Sequence, residues 1–199
     1  MALADNEIRD LIKKKDLVIH PLLEQNQIHS AKVDVRIDNA VYGIRRLESA
    51  SFDAWEDDPK KYAEVKKIPF DEKLVLHPYD FMTAPLFEMV KLPNYLVGRL
   101  DGRSSLARLG IIVHATAGGI DPGYSGKLVC ELVNLGTVPV KIAPLNRIAS
   151  ISFERIEGTV ESDYSKRKKN NLAKYGSRIE SAISQDPEKE SIQKMIQRL

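Results

Sequence analysis

The alternation of apolar and polar positions changes period along the chain. Near the N-terminus Ile8, Leu11 and Ile12 share one helical face, with Asp5 at the place of an N-cap and Glu7 in the first turn. The lysines at 13–15 complement the negative end of the helix dipole, so a short N-terminal helix is predicted. From Lys32 the period drops to two: Val33, Val35 and Ile37 alternate with Asp34, Arg36 and Asp38, as in a half-buried strand. Further strands are predicted at 74–76, 96–99, 111–115, 127–133, 138–142 and 148–153. Pro78, Pro85, Pro93, Gly110, Pro122, Gly123, Gly136 and Pro144 punctuate the intervals. Many short strands separated by turn signals predict a mainly β sandwich or barrel-like domain.

Two stretches depart from that rhythm. Residues 48–69 are charged and include Trp55, which predicts a surface excursion anchored by the indole. Residues 164–179 carry Lys166, Arg167, Lys168, Lys169, Lys174 and Arg178 with no acidic residue. Beyond them, Asp186-Pro187-Glu188 is a helix start, and Ile192, Met195, Ile196 and Leu199 follow at helical spacing. The expected organisation is a β domain over 1–160 and a basic tail with a C-terminal helix over 161–199.

Composition narrows the function classes. Thirty Lys and Arg against twenty-eight Asp and Glu leave a net charge of +2 in 199 residues, which gives no global attraction to nucleic acid or an acidic membrane. The basic run at the tail reads on its own as a solvated segment. The single cysteine, Cys130, permits no intrachain disulfide and no cysteine-rich zinc site. The N-terminus is too polar for a signal peptide and no apolar run reaches membrane-spanning length, so a cytoplasmic location is expected.

The chemistry concentrates in 102–132, GRSSLARLGIIVHATAGGIDPGYSGKLVCEL. Gly102-Arg103-Ser104-Ser105 offers backbone N–H groups, two hydroxyls and a guanidinium, the set that phosphate recognition needs, although it also reads as a turn with a helical tail. Gly118-Gly119-Ile120-Asp121-Pro122-Gly123-Tyr124 is either a hairpin corner or a close-approach turn. In the second case Asp121 accepts from a ligand hydroxyl and Tyr124 offers a flat face and a phenol. Alternation places Leu128, Cys130 and Leu132 on one face of a strand and Lys127, Val129, Glu131 and Val133 on the other. Glu131 is therefore either a solvent-facing charge or a carboxyl whose burial suits it to general acid/base work. His20, His29, His77 and His114 show no metal-ligand spacing, and His114 reads as a sheet histidine satisfied by its neighbours. The paired motifs of zinc-dependent nucleobase deaminases, the nucleophile elbow and the dinucleotide fingerprint are all absent.

Taken together these residues resemble the dCTP deaminase family, a branch of the trimeric dUTPase-like fold. The resemblance is carried by LDGRSSLARLG at 100–110, by Ile120-Asp121-Pro122-Gly123 through Glu131, by SAKVDVR at 30–36, and by Tyr164 with Lys174-Tyr175. It implies a dUTPase-like distorted β-barrel or jelly-roll (β-clip) with short terminal helices, working as a homotrimer with sites shared between subunits. It implies that Glu131 is the general acid/base in hydrolytic deamination of dCTP to dUTP and ammonia. Ser104, Arg108 and the Ala117 carbonyl would orient water and base. Asp121 would take the deoxyribose 3′-hydroxyl and the Val129 backbone the pyrimidine edge. Arg103 and Ser105 would hold phosphates, and Tyr164 and Lys174 would close over the triphosphate, with Leu106, Ala107, Cys130 and Asn146 completing the substrate-binding set. Magnesium would ride on the triphosphate, zinc would have no catalytic part, and dTTP is a candidate feedback inhibitor.

Ala117 is followed by Gly118-Gly119, closer to bifunctional members that carry dCTP to dUMP, although their aromatic residue is absent here. In those members a second water attacks the α-phosphate, and Asp34 is the candidate to position it. A plain dUTPase would share Asp34, the Gly-Arg-Ser loop and Asp121 without needing Glu131. A non-catalytic nucleotide or nucleic-acid binder using the tail is the remaining alternative.

Overall fold

The structure is a computed structural model that describes residues 1–44, 51–58, 63–164 and 194–195. Lys174, the basic run 166–178 and most of the expected C-terminal helix lie outside the described residues.

The first helix, α1 (Asp5–Lys14), buries Ile8 and Leu11, as the spacing predicts. Its cap differs from the expectation. Ala4 is the N-cap, Asp5 is the first helical residue, and the Glu7 carboxylate accepts the Ala4 N–H at 3.2 Å. That N–H, together with Arg155 at 3.3 Å, holds the Glu7 carboxyl below the usual range. A carboxylate three residues into a helix can reach back to the orphan N–H before it, which Asp5 inside the first turn does not do.

The body is two sheets around one core. The first combines β4 (Ala40–Ile44), β5 (Ala63–Lys67), β7 (Phe81–Lys91), β9 (Ile111–Ile112) and β11 (Ser125–Asn134) in the order β5-β4-β7-β11-β9, with β1 (Val18–His20) added along β7. The second combines β2 (Ile28–His29), β3 (Lys32–Arg36), β8 (Leu96–Gly102), β10 (Gly119–Ile120) and β13 (Arg147–Arg155) in the order β10-β8-β13-β3-β2. A two-stranded ribbon joins β6 (Leu74–Leu76) to β12 (Val140–Ile142). All pairings are antiparallel among the described strands. Val33, Val35, Leu86, Leu96, Cys130, Leu132, Ile148, Ile151 and Phe153 meet in the core, so the mainly β class is as expected.

Strand β7 has no counterpart among the sequence-predicted strands because Pro85 reads as a break. Here Lys127 opposes Met89 but Val129 opposes Pro85, an irregularity that gives β7 extra residues between the two pairs. A proline is tolerated at such a bulge because a ladder position is already given up there. The extra residues swing β7 toward the second sheet, where Ile37 bridges Leu86 and the Asp38 N–H donates to Pro85. They also bury Glu88, whose carboxylate accepts the Arg36 N–H at 2.7 Å and lies 3.2 Å from both Arg36 Nη1 and Gln27 Nε2.

The excursion expected at 48–69 is only partly one. At 51–58 the Asp53 carboxylate accepts the N–H groups of Trp55 and Glu56, a self-closed turn with Trp55 half-buried. Its far end is the edge strand β5 on β4, whose Glu64, Lys66 and Lys67 suit an exposed sheet edge. Among the described residues no helix is long and apolar enough to cross a membrane.

Candidate active site

Glu131 sits where alternation along β11 puts it. Cys130 and Leu132 point into the core, whereas Val129, Glu131 and Val133 lie half-buried on the opposite face. Val129 lies opposite Pro85, whose carbonyl accepts the Asp38 N–H at 2.9 Å on the far side of β7. The Glu131 side chain is 30% exposed, between the two environments its sequence context allowed. His114 Nδ1 lies 2.8 Å from its Oε2. His114 is thus not satisfied within the sheet: both ring nitrogens are buried without an aligned hydrogen bond, and so is Glu131 Oε2.

A second group forms where β8 runs into α2 (Ser104–Ala107). Arg103 donates from Nη1 to the Arg147 carbonyl at 3.2 Å and sets Nε 3.5 Å from Asp34 Oδ2. Asp34 is 2% exposed, with His29 Nε2 at 3.1 Å and Arg147 Nη1 at 3.8 Å. Three cationic or potentially cationic groups thus converge on one buried carboxylate. Beside them lies a cleft of about 380 Å³ lined by Arg103, Ser105, Asn146 and Arg147 among others, with one carboxylate, Glu24, held by Arg36 and Arg147. Guanidinium and hydroxyl donors fit phosphate oxygens, not a protein-bound divalent ion. Ser104, Ala107 and Arg108 are exposed along α2, whereas Leu106 packs on the core. Arg147 carries no motif in the sequence. Its only signal was a cation at the start of a strand, and its partners come from 24–34.

The third group is the turn at 121–124. Asp121 is exposed and Gly123 has φ +76°, a conformation that favours glycine. Tyr124 does not offer its ring or phenol to a ligand as expected. The ring is buried in the core and the hydroxyl donates to the Lys127 carbonyl at 2.8 Å. Tyr164 docks against it, ring centroids 5.2 Å apart, and donates its N–H to the Pro122 carbonyl at 2.8 Å. Ala117 is exposed in the preceding turn, which is fastened to β8 where the Leu100 N–H donates to the Gly118 carbonyl at 2.8 Å. The Cys130 side chain is buried, so only its backbone can reach a ligand.

One chain therefore brings the predicted residues into three groups. Arg103, Ser105 and Asn146 share the cleft with Arg147, and Glu131 is not among its lining residues. A second cleft, about 510 Å³, touches His114, Thr116, Gly118 and Gly119, again without Glu131 in its lining.

Residues 2–156 match the model of the family described as dCTP deaminase-like. The chain belongs to that family. Among family relatives, it is 41% identical to a Dictyoglomus turgidum protein named dCTP deaminase, dUMP-forming, over 84% of this chain and 87% of that one. It is 37% identical to a Shewanella sp. (strain ANA-3) protein named dCTP deaminase, over 94% of this chain and all of the other. The fold resembles the crystal structure of 2′-deoxycytidine 5′-triphosphate deaminase from Agrobacterium tumefaciens, with a TM-score of 0.63 at 23% identity. That likeness covers 87% of this chain, which spans about half (53%) of the other.

Proposed function

We propose that this protein is a dCTP deaminase that replaces the 4-amino group of the cytosine in dCTP by oxygen, giving dUTP and ammonia. The observation that carries the reading is Glu131: a half-exposed carboxyl with one oxygen buried against an imidazole, on the strand face beside Val129, in a chain of this family. Glu131 takes a proton from the water that attacks C4, delivers one to N3, and returns a proton to the departing amine. Ser104, Arg108 and the Ala117 carbonyl orient water and base. Asp121 takes the 3′-hydroxyl, and the Val129 backbone reads the pyrimidine edge. Arg103 and Ser105 hold the triphosphate with Asn146, and Tyr164, docked on the Asp121 turn, starts the segment that closes over it with Lys174. Magnesium belongs to the triphosphate: the one carboxylate lining the cleft, Glu24, is already paired with Arg36 and Arg147, and the other polar side chains there are cationic, hydroxyl or amide.

The groups are completed between subunits of a homotrimer. An exposed apolar strip supports this: Tyr79, Phe81, Leu109, Ile112, Leu135 and Val138. Val133 opposes both Phe81 and Ile112, and Leu135 is bonded to Gly110 beside Leu109, so much of the strip is continuous. Single domains rarely leave so much apolar surface in water. Feedback binding of dTTP would use the same triphosphate cleft.

A second reading is favoured by Asp34, buried beside Arg103, and by Gly118-Gly119 after Ala117: the dUTP formed is carried on to dUMP and diphosphate. Product analysis from dCTP with magnesium separates the two. dUTP with ammonia supports deamination alone, dUMP with diphosphate supports both steps, and cleavage of dUTP without any ammonia from dCTP overturns the deaminase reading. Glu131→Gln is expected to abolish ammonia release while nucleotide binding, measured by calorimetry, persists.

A further inference from the structure

Glu131 does not stand alone on its strand. The ladder between β9 and β11 pairs Val133 with Ile112 and Asn134 with Ile111. The same antiparallel register, continued toward the start of β11, sets His114 opposite Glu131. On the other flank Thr83 of β7 opposes Glu131. Residues directly opposite on one sheet face hold their Cβ atoms about 4.5–5.5 Å apart, so a carboxyl and an imidazole there are brought together. They meet at 2.8 Å, Nδ1 to Oε2, close enough to share a proton after a small turn of either side chain although not aligned as a hydrogen bond, with the His114 side chain only 10% exposed. Oε2 is buried, so whatever the carboxyl presents to solvent it presents through Oε1.

Two polar atoms buried face to face are costly unless they share a proton. An ionised carboxylate only accepts, so the nitrogen facing it must carry the hydrogen; a neutral carboxyl can instead donate to a bare Nδ1. Either arrangement fixes which oxygen faces inward. The ring in turn depends on Gly118. A Cβ at that position would come within 3.2 Å of His114 Cδ2, 3.3 Å of Nε2 and 2.9 Å of the Leu100 carbonyl oxygen. Glycine at 118 leaves the space the imidazole occupies.

We propose that His114 is a positioning residue for the reaction: it holds Glu131 Oε2 through Nδ1, so that Oε1 alone faces the attacking water, and Gly118 provides the room for it. The proposal rests on Glu131 being the acid/base. Without the imidazole the carboxyl gains rotamers and its reacting oxygen is less often aligned, which slows the chemical step. Sugar and phosphates are held by other groups, so ground-state binding is spared.

The test is steady-state ammonia release from dCTP by the purified full-length protein. His114→Ala is expected to lower kcat by about 10- to 100-fold, the usual size of losing a group that orients a reacting ligand. KM should stay within about 3-fold of the wild type, because the interaction lost is not one of ground-state binding. His114→Asn, whose amide nitrogen takes the place of Nδ1, should recover most of the rate. His114→Gln, whose amide reaches instead to the place of Nε2, should not. Both place an amide of similar polarity in the site, so a purely structural role would not separate them even if His114→Ala folds poorly. Equal losses in the Asn and Gln variants overturn the proposal, as does wild-type kcat in His114→Ala. In either case inactive Glu131→Gln leaves the deaminase reading standing. Ammonia release by Glu131→Gln overturns that reading and the proposal together.

Discussion

Cys130 and Glu131 are neighbours in the chain and opposites in environment, because a strand sends successive side chains to opposite faces. The thiol enters the core, where burial and then the charge of Glu131 push its pKa from 9.0 up to about 12. An unfolded thiol ionises above about pH 9 and the folded one does not, so the stability this group contributes is complete below pH 9. It is lost as pH rises toward 12. Urea unfolding of the wild type and Cys130→Ala at pH 7.5 and pH 10 is expected to show the wild type losing ground to the variant at the higher pH. An unchanged gap would mean that burial does not control the thiol. The same alternation made Glu131 legible from the sequence, since a carboxylate among Val, Cys and Leu stands out locally. His114 was not legible, because its role depends on a partner strand.

At the scale of elements, β7 shows what local pattern misses. Its Pro85 looks like a terminator, yet the irregularity opposite 127–129 turns it into a bend that delivers Glu88 to Arg36. Arg36 is 4% exposed and Glu88 fully buried. Removing Glu88 leaves the buried Arg36 with only the exposed Glu24 carboxylate at 3.4 Å, and losing one partner of a buried pair costs about 3–5 kcal/mol. Glu88→Gln is therefore expected to destabilise the protein by about that amount in equilibrium denaturation, and a loss under about 1 kcal/mol would contradict the pairing. By contrast β3, β6, β8, β11 and β13 lie where strands were predicted, but β3 is not half-buried as expected: Asp34 and Arg36 are buried along with Val33 and Val35, because their charges meet Arg103, His29 and Glu88 inside the molecule. The two-residue β10 is too short to carry a period, and the strand predicted at 111–115 stops at Ile112, where the chain bends at Val113 and turns through His114.

At the scale of the whole molecule, the candidate site is spread over three places in one chain, and the exposed strip of Tyr79, Phe81, Leu109, Ile112, Leu135 and Val138 is the seam proposed between copies. An aspartate in that seam would have to be desolvated on assembly. Ile112→Asp is expected to shift the protein to monomers in sedimentation equilibrium and to abolish deamination, although Ile112 lies outside the proposed reacting groups. Fully active monomers would refute the shared site.

By itself the sequence determined the mainly β class, the Gly-Arg-Ser-Ser loop, the Asp-Pro-Gly turn and the singular position of Glu131. Each of these is carried by residues adjacent in the chain, where period and turn chemistry act directly. Tertiary structure alone decided that Arg147 and His29 join Arg103 around Asp34, that Tyr124 is core while Tyr164 rests on it, and that Glu131 faces His114. Those relations depend on register between strands joined by long irregular connections, and no short-range interaction sets that register.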